Sequence, residues 1–202
     1  ISENKKVQSE AASLKQNLEQ SRTQIEELRS SLAEAQVLGL VDPLTSLNNR
    51  RWLDRNLNTE IAEAKGQQRE LCLVMTDIDH FKRINDSFGH QVGDDVLQRF
   101  ASLLTKNIKG RDSAVRYGGE EFAIILPQTK LEGAKQLAEQ VRSELEAKKW
   151  VMAKSGQQIG KITASFGVSE LRNGENSADL IGRADANLYE AKRTGRNKIV
   201  SA

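Results

Sequence analysis

The segment SAVRYGGEEFAIILP, residues 113–127, constrains the fold of this chain most strongly. A strand-like run leads into a Gly-Gly pair and a longer apolar run follows, which predicts a β-hairpin. Glu120 and Glu121 stand at the turn, directly before the apolar run. A solvated turn is one interpretation of these acids. The other is a metal site beside a backbone that a phosphate can approach, and the rest of the sequence must decide between them.

Further helices and strands are predicted on both sides of this hairpin. The run LCLVMTDID, residues 71–79, has the length and apolar content of a strand. This mixed order is not the regular alternation of a doubly wound sheet, so we expect an α+β domain. The other predicted elements are helices at residues 50–64, 94–108, 131–149 and 177–195, and strands at residues 161–170 and 197–200.

The first 38 residues differ from the rest because they contain neither Pro nor Gly. Their apolar residues follow a 3.5-residue repeat, which predicts a coiled coil. A parallel dimer is favoured because charged residues fill most other positions, and a single amphipathic helix lying on its own domain is the alternative. We therefore predict a coiled-coil helix (1–38), a linker (39–49) and a globular domain (50–202). The a positions are Ala11, Leu18, Ile25 and Leu32, and the d positions are Val7, Leu14, Ser21, Leu28 and Ala35.

Composition excludes several classes of protein. The 30 Lys and Arg residues nearly balance the 28 Asp and Glu residues, so bulk attraction to nucleic acid or to an acidic membrane is not expected. Cys72 is the only cysteine, which excludes a disulfide framework and a Cys-based zinc site and favours a reducing compartment. No apolar run could span a bilayer, and no signal peptide is visible. The chain starts inside a charged helical pattern, so we expect a fragment of a longer protein.

Two pairs of carboxylates are predicted to meet in one metal site. Asp77 and Asp79 end the first apolar strand, and Glu120 and Glu121 would join them if the hairpin pairs beside that strand. Oxygen ligands of this kind suit Mg²⁺ or Mn²⁺, which waters and substrate phosphates then complete. The Gly-Gly pair leaves room for a phosphate. Lys82 adds a positive charge near a helix start, whose free N–H groups favour anions.

Four segments, in this order, resemble the motifs of one protein family. RYGGEEF resembles the signature of the GGDEF domain, the diguanylate cyclases, with Glu in the variable third position. DPLTSLNNRR is similar to the opening motif, DIDHFKRINDSFGHQVGDDVL to the nucleotide-binding segment, and ADANLYEAKRTGRN to the closing motif. The resemblance implies a nucleotide-cyclase or palm-like central sheet flanked by helices. It also implies condensation of two GTP molecules into cyclic di-GMP plus pyrophosphate, by a homodimer with one GTP on each domain.

The resemblance implies metal and catalytic roles by position. Asp77, Glu120 and the backbone carbonyl of Ile78 match the family's ligands for Mg²⁺ or Mn²⁺, which stabilises the charge that develops during in-line displacement. Glu120 is also the family's usual acceptor of the 3′-hydroxyl proton. Glu121 shares either duty, and the residues alone do not separate the two glutamates.

The resemblance also implies cationic residues for the phosphates. Lys82 matches a lysine that contacts phosphates and stabilises the transition state. Lys192 and Arg196, in the closing motif, would hold the terminal phosphates. A basic helix end favoured by the helix dipole is the alternative for these two residues.

Base recognition is assigned to the nucleotide-binding segment. Asn85 and Asp94 match the guanine-reading positions, and a carboxylate accepts both N1–H and N2–H of guanine, which adenine does not offer. Asp94 therefore favours GTP over ATP. Phe81 and His90 are assigned to the same substrate pocket, and a packed, satisfied histidine is the alternative for His90.

One departure from the family pattern concerns its product-binding inhibitory site. The family's RxxD sequence is KGRD here, with Lys109 in place of Arg and Asp112 retained. Lysine cannot form the bidentate fork that arginine forms, and we expect the adjacent Arg111 to point elsewhere. The sequence therefore predicts weak or absent feedback inhibition through this degenerate site.

The implied partners are GTP, the product cyclic di-GMP and a second copy of the chain, with no nucleic acid. A coiled coil would raise the effective concentration of the second half-site, and an upstream sensor would act through it. The need for GTP implies a cytoplasmic catalytic domain, which a membrane segment of the longer protein could anchor. Two alternatives remain open: a catalytically silent GTP-binding regulator, and a dimerisation module with a scaffold domain.

Overall fold

The computed structural model describes residues 15, 19–22, 24–25, 39–151 and 158–202. The chain divides into two units, residues 1–39 and 40–202. Among the predicted coiled-coil positions only Ser21 and Ile25 are described; both are helical and exposed. The other heptad positions lie outside the described residues, so the coiled coil stays a prediction. Within the described part of the chain, no helix combines the length and hydrophobicity needed to cross a membrane.

The second unit alternates irregularly between helices and strands, as predicted for an α+β domain. The hairpin prediction is confirmed, because the two strands on either side of the Gly-Gly pair are antiparallel neighbours. In chain order the elements are β1 Asn48–Asn49, α1 Arg50–Gln67, β2 Leu71–Ile78, α2 Phe81–Phe88, α3 His90–Asn107, β3 Ser113–Gly118, β4 Glu121–Pro127, α4 Leu131–Ala147, β5 Trp150–Val151, β6 Gln158–Gly160, β7 Ala164–Glu170, α5 Ser177–Arg193 and β8 Ile199–Ser201.

One mixed sheet organises this unit, with the strand order β1-β3-β4-β2-β7-β8. Its middle strands are antiparallel, and its two outer pairs, β1 with β3 and β7 with β8, are parallel. β2 lies in the middle, and all of its residues are buried. This position explains why its sequence is almost continuously apolar, because both faces of a covered sheet must be hydrophobic. β5 and β6 form a separate two-stranded sheet.

Helices cover both faces of the sheet. α1 and α5 pack on one face, and α3 and α4 pack on the other. α1 buries Leu53, Leu57 and Ile61, which recur every fourth residue and form one apolar stripe. Leu73 of β2 joins this cluster, whereas its neighbour Val74 joins the opposite one. The alternation of strand side chains therefore builds two cores, one on each side of β2.

A glycine brings α5 unusually close to the sheet. A Cβ atom on Gly167 of β7 would lie 2.1 Å from the backbone oxygen of Ala184 and 2.2 Å from the backbone nitrogen of Leu188. Only a residue without a side chain permits this approach. Gly167 thereby fixes α5 against β7, and with it the C-terminal end of α5, where Lys192 lies.

Residues 39–49, predicted as a linker, contact the sheet. Asn48 and Asn49 form β1 and pair with Val115 and Arg116 of β3. Leu47 is buried, and the Asp42 backbone N–H donates to its carbonyl at 2.8 Å. The assignment of these residues to a linker, like the other domain boundaries, remains a prediction.

Candidate active site

The acidic residues of the hairpin meet β2 at one edge of the sheet. Asp77 of β2 lies directly opposite Glu121 of β4 on one side and Ser165 of β7 on the other. Residues directly opposite each other in antiparallel strands place their side chains on the same face. Asp77 and Glu121 therefore share the face that α5 covers. The backbone N–H of Ile78 donates to the carbonyl of Glu120 at 3.3 Å, which draws the turn against the end of β2.

Electrostatics favour a cation at this edge. Burial raises the pKa of the Asp77 carboxyl, and the charges of Glu121 and Asp79 raise it further. Lys192 opposes this shift, because its Nζ lies 2.8 Å from Asp77 Oδ2. Burial also raises the pKa of Glu120, with a second contribution from Asp77. Carboxylates that repel one another in a poorly solvated place are stabilised by a nearby positive charge, and Lys192 supplies one.

The donor set fits a hard divalent cation. Asp77 and Glu120 offer carboxylate oxygens at this edge of the sheet. The third candidate ligand is the backbone carbonyl of Ile78, the last residue of β2. In the part of the chain described, no three His, Cys, Asp or Glu side chains form a ready-made cage for a metal ion. A cation held here would need additional ligands, and Mg²⁺ ordinarily keeps waters and substrate phosphates in its coordination shell.

Asp79 has a different environment from Asp77, although only one residue separates them. Its carboxylate accepts hydrogen bonds from Thr163 Oγ1 at 2.7 Å, from Ser165 Oγ at 2.7 Å and from the Asn197 backbone N–H at 3.0 Å. The side chain is 5% exposed. Asp79 is therefore committed to protein donors, and of the two aspartates only Asp77 faces the hairpin acids.

The Gly-Gly turn is held from outside by an arginine. Arg116 Nη2 and Nε donate to the carbonyl of Gly119 at 2.8 Å and 3.1 Å, and Nη1 donates to Asp42 Oδ1 at 3.0 Å. Burial alone would raise the pKa of Asp42, but two hydrogen bonds from Thr45 and the pairing with Arg116 lower it overall. The carboxylate is thus a stable anchor. Arg116 connects this anchor to the turn that carries Glu120.

α2 and α3 approach each other closely at Gly93, which faces Asn85 and Phe81. A Cβ on Gly93 would lie 1.9 Å from Asn85 Oδ1 and 3.1 Å from Phe81 Cζ, so the glycine admits both side chains. Asn85 Oδ1 is buried and has no hydrogen-bond partner among the described residues. A buried acceptor without a partner is uncommon and has to be explained. Asp94 and His90 are exposed on the first two turns of α3.

The three predicted phosphate-binding cations differ in their surroundings. Lys82 in the first turn of α2 and Arg196 after α5 are both exposed, and within the described residues neither forms an ion pair. Lys192 is paired with Asp77. Phe81, predicted to line the substrate pocket, is buried in the core, where its ring lies beside Gly93 of α3.

Comparison with known proteins identifies the family. The profile described as "Diguanylate cyclase, GGDEF domain" matches residues 39–198. The chain belongs to the GGDEF-domain family of diguanylate cyclases. It is 42% identical over 200 residues to diguanylate cyclase VdcA of Vibrio cholerae, covering 99% of this chain and 58% of VdcA. It is 38% identical over 174 residues to response regulator PleD of Caulobacter vibrioides, covering 86% of this chain and 38% of PleD. The chain thus spans less than two thirds of either relative.

Solved structures confirm the fold. The coiled coil and GGDEF domain of DgcB from Caulobacter crescentus, in complex with c-di-GMP, has a TM-score of 0.86 and 36% identity, covering 94% of this chain and 100% of that one. The active GGEEF domain of a diguanylate cyclase from Vibrio cholerae has a TM-score of 0.70 and 39% identity, covering 77% and 97%. The predicted central sheet flanked by helices is therefore the GGDEF fold.

The sequence KGRD, predicted to be a degenerate inhibitory site, forms a closed turn in this GGDEF domain. The Lys109 backbone N–H donates to Asp112 Oδ2 at 3.0 Å, and the Asp112 N–H donates to the Lys109 carbonyl at 3.0 Å. Arg111 points to α1, where it pairs with Glu60 at 3.3 Å and Glu63 at 2.7 Å. The expectation that Arg111 points elsewhere is thus consistent with the geometry. The role of Lys109 and Asp112 as a weak product site remains a prediction.

The contacts that hold the signature turn and the end of β2 in place were not identified from the sequence. Arg116 stands two residues before the Gly-Gly pair, but nothing in the sequence reveals that its partner is Asp42, which lies far away along the chain. Asp79 was predicted to share a metal site with Asp77 because both stand at the end of the apolar run. The sequence offers one indication that the two aspartates differ. Side chains alternate along a strand, so residues 77 and 79 would share a face only if the strand continued past Ile78.

Proposed function

We propose that this protein is a diguanylate cyclase, which condenses two GTP molecules into cyclic di-GMP and releases pyrophosphate. The observation that carries the proposal is the convergence of Asp77 with the glutamates of the signature turn, beside Lys192. A second copy of the site is required, because each GTP must meet another. The names of VdcA and of the Vibrio cholerae GGEEF domain support the same activity.

Asp77, Glu120 and the Ile78 carbonyl would hold the divalent cation, for which Mg²⁺ or Mn²⁺ is the chemically suitable choice. When bound, the cation neutralises phosphate charge and acidifies the attacking 3′-hydroxyl. The protein itself contributes a carboxylate whose pKa burial has raised, Glu120. A bound cation would lower this pKa again, so what favours Glu120 as the proton acceptor is its place at the turn beside Asp77 and not its pKa. We therefore assign proton removal to Glu120, with Glu121 beside it in support.

Guanine recognition is proposed for the surface where α2 and α3 meet. Asp94 is exposed and makes no hydrogen bond to another described residue, so its carboxylate is available for the N1–H and N2–H donors of guanine. Asn85 contributes its amide, whose Oδ1 lies close to Gly93 and has no hydrogen-bond partner among the described residues. His90, exposed in the first turn of α3, is assigned to the same site. Adenine would leave the Asp94 carboxylate without donors, which a site of this kind penalises heavily.

The terminal phosphates are assigned to cationic side chains. Lys82 and Arg196 are exposed and unpaired among the described residues, and Lys192 already lies at the acid edge. Together these cations would offset the negative charge of Asp77 and Glu120, which would otherwise repel the phosphates. Lys82 is positioned at the N-terminus of α2, where the helix dipole also favours anions.

Two copies of the domain are needed, and the first 38 residues are proposed to bring them together. A coiled coil of this kind would raise the effective concentration of the second half-site. The structure of DgcB that resembles this chain contains a coiled coil together with its GGDEF domain. An upstream sensor in a longer, cytoplasmically oriented protein would then regulate how often two GTP molecules meet.

A single assay tests this function. The purified chain is incubated with GTP and Mg²⁺, and cyclic di-GMP is measured by mass spectrometry beside Glu120→Ala. We expect product from the parent and a loss of at least about 100-fold in the variant, the lower limit for a general base. ATP serves as the substrate control. A dimeric chain that binds GTP but forms no product would contradict the proposal and favour a silent GTP-binding regulator.

A further inference from the structure

The segment after α5, residues 194–198, has an unusual backbone, and it is called the closing turn here. Gly195, Arg196 and Asn197 have φ angles of +117°, +61° and +48°. The left-handed region is unfavourable for residues with a side chain, because Cβ approaches the following carbonyl. Two such residues in succession persist only where the surroundings determine their conformation. The contacts that hold this turn therefore matter for Arg196, which lies at its centre.

Asn197 receives restraints from two separate elements. Its backbone N–H donates to Asp79 Oδ2 at 3.0 Å, and its side-chain Oδ1 accepts from Arg142 Nη1 at 2.9 Å. Asp79 lies just after β2, whereas Arg142 lies on α4. The turn is closed internally by the Arg196 N–H, which donates to the Ala191 carbonyl at 2.9 Å.

Arg142 is itself a firmly placed group. Its side chain is 16% exposed, and it pairs with Glu139 at 2.6 Å and with Glu146 at 2.8 Å. Lys161 also contacts Glu146, at 3.1 Å. Pairs along one helix would explain Arg142 as an ordinary surface feature. They do not explain why Nη1, which donates to Glu146, also donates to Asn197, a residue far from α4 in sequence.

Asp79 connects the closing turn to the acid edge. It follows Asp77 and Ile78 directly, and Thr163 and Ser165 fix its carboxylate from the side of β7. The Asp79 backbone N–H also donates to the Thr163 carbonyl at 2.8 Å. A shift of the closing turn would therefore have to break contacts with the strand end that carries Asp77.

We propose that Arg142 and Asp79 are positioning residues, which hold Asn197 and thereby fix Arg196 for the terminal phosphates of the nucleotide. This inference rests on the proposed function, in which Arg196 binds those phosphates. Arg142 does not touch the nucleotide. It acts through Asn197 and the left-handed backbone, from a helix on which no site residue was predicted.

The test is a double-mutant cycle in nucleotide binding. Equilibrium binding of a non-reacting GTP analogue with Mg²⁺ is measured for the full chain, for Arg142→Met, for Asn197→Ala and for both together. Each single variant removes one end of the same hydrogen bond. We expect each to weaken binding roughly fivefold, within the range of one coupled contact, and the double variant to be no weaker than either.

A matched control separates positioning from folding. Glu139→Gln removes another partner of Arg142 on the same helix and leaves the Asn197 contact in place, so parental affinity is expected even if the melting temperature falls. Parental affinity in both Arg142→Met and Asn197→Ala would overturn the inference. So would losses that multiply in the double variant.

Arg196→Ala distinguishes failure of the inference from failure of the proposed function. If Arg196→Ala weakens binding and Arg142→Met does not, only the positioning role is wrong. If Arg196→Ala binds the analogue like the parent, the phosphate assignment itself is wrong and the inference falls with it. When Arg196→Ala weakens binding, adding Arg142→Met to it should cause no further loss, because the group that Arg142 positions has been removed.

Discussion

The two ends of β3 carry similar residues and use them differently. At its C-terminal end, the Gly-Gly turn presents Glu120 beside Asp77, where burial and neighbouring carboxylates raise both pKa values. At its N-terminal end, Asp112 closes its own turn by accepting the Lys109 N–H, and Arg111 is held by acids of α1. At one end the carboxylates outnumber the nearby cations, whereas at the other Asp112 and Arg111 have partners within the domain. A glycine and an acid in a turn therefore do not make a site unless the fold leaves them without internal partners.

Asp77 and Asp79 repeat this contrast over three residues of sequence. Both were predicted to join the metal site, but among the described residues Asp79 accepts hydrogen bonds from three protein donors, whereas Asp77 pairs with the cation of Lys192. The number of donors that the protein itself provides separates a structural carboxylate from one that can bind a ligand. Substitutions at the two residues test this contrast, because they are expected to affect activity and stability differently.

The largest effect is expected from Asp77→Asn. The substitution keeps the shape of the side chain but removes the proposed metal ligand, so cyclic di-GMP formation should fall by at least about 100-fold, as for loss of one strong electrostatic contact to the reacting groups. The melting temperature should change little, because loss of the ion pair with Lys192 is offset by removal of a charge that burial and neighbouring acids disfavour. Product analysis and thermal unfolding check the two parts.

Asp79→Ala is the matched variant, in which the main effect should be on stability and the loss of activity should be limited to the roughly fivefold weakening expected for a positioning contact. It leaves Thr163, Ser165 and the Asn197 N–H without their acceptor, at a cost of about 3 kcal/mol if each lost hydrogen bond counts for about 1 kcal/mol. For a chain of this size the melting temperature should drop by roughly 6 to 12 °C. An Asp79→Ala protein as stable as the parent, or an unstable Asp77→Asn protein, would show that the two roles are assigned wrongly.

The sequence alone predicts most of the fold for a physical reason. β2, β4 and the four long helices bury long apolar stretches. The spacing of apolar residues in the sequence therefore indicates which residues are buried. The convergence of Asp77 with the signature turn follows once the hairpin lies beside β2, because strand ends at one edge are neighbours. The pairing of β1 with β3 was not predicted, because a strand of two residues leaves no periodic signal in the sequence.

The supporting contacts were not predictable from local pattern. Asp42 with Arg116 and Arg142 with Asn197 are polar pairs between segments far apart in sequence. Each residue taken alone has the composition of an ordinary turn or helix surface. Only the fold brings the partners together, so a single sequence contains the residues but not the pairs.

A smaller effect is expected at the other end of β3, from Lys109→Arg. A guanidinium offers the bidentate geometry that lysine lacks, so inhibition of cyclase activity by added cyclic di-GMP should strengthen by about 10-fold. Inhibition is measured as the product concentration that halves the initial rate. Arg111→Ala is the control and should leave inhibition unchanged, because Arg111 is held by Glu60 and Glu63. Equal inhibition of the parent and Lys109→Arg would contradict the interpretation of this site as degenerate through Lys109.

The smallest effect concerns how stability depends on pH, and it compares Glu120→Gln with Asp112→Asn. Both carboxyls have a raised pKa, mainly through burial. A carboxyl whose pKa is raised in the folded state does not affect stability below its ordinary pKa, where it is protonated in both states. As the pH rises from the ordinary pKa through the raised value, the free energy of unfolding falls. Each variant should therefore gain unfolding free energy relative to the parent between about pH 4 and pH 7 in EDTA.

Mg²⁺ should separate these two variants. Near Glu120 the cation favours the charged carboxylate and stabilises the parent, so the advantage of Glu120→Gln at pH 7 should shrink or reverse when Mg²⁺ replaces EDTA. Asp112 is committed to the Lys109 N–H in a turn with no proposed metal ligand, so the advantage of Asp112→Asn should be the same in both buffers. Urea unfolding at both pH values measures these differences. A response to Mg²⁺ that is equal in the two variants would mean that the cation does not distinguish the two ends of β3, and the contrast between an unsatisfied and a satisfied turn would then lose its functional meaning.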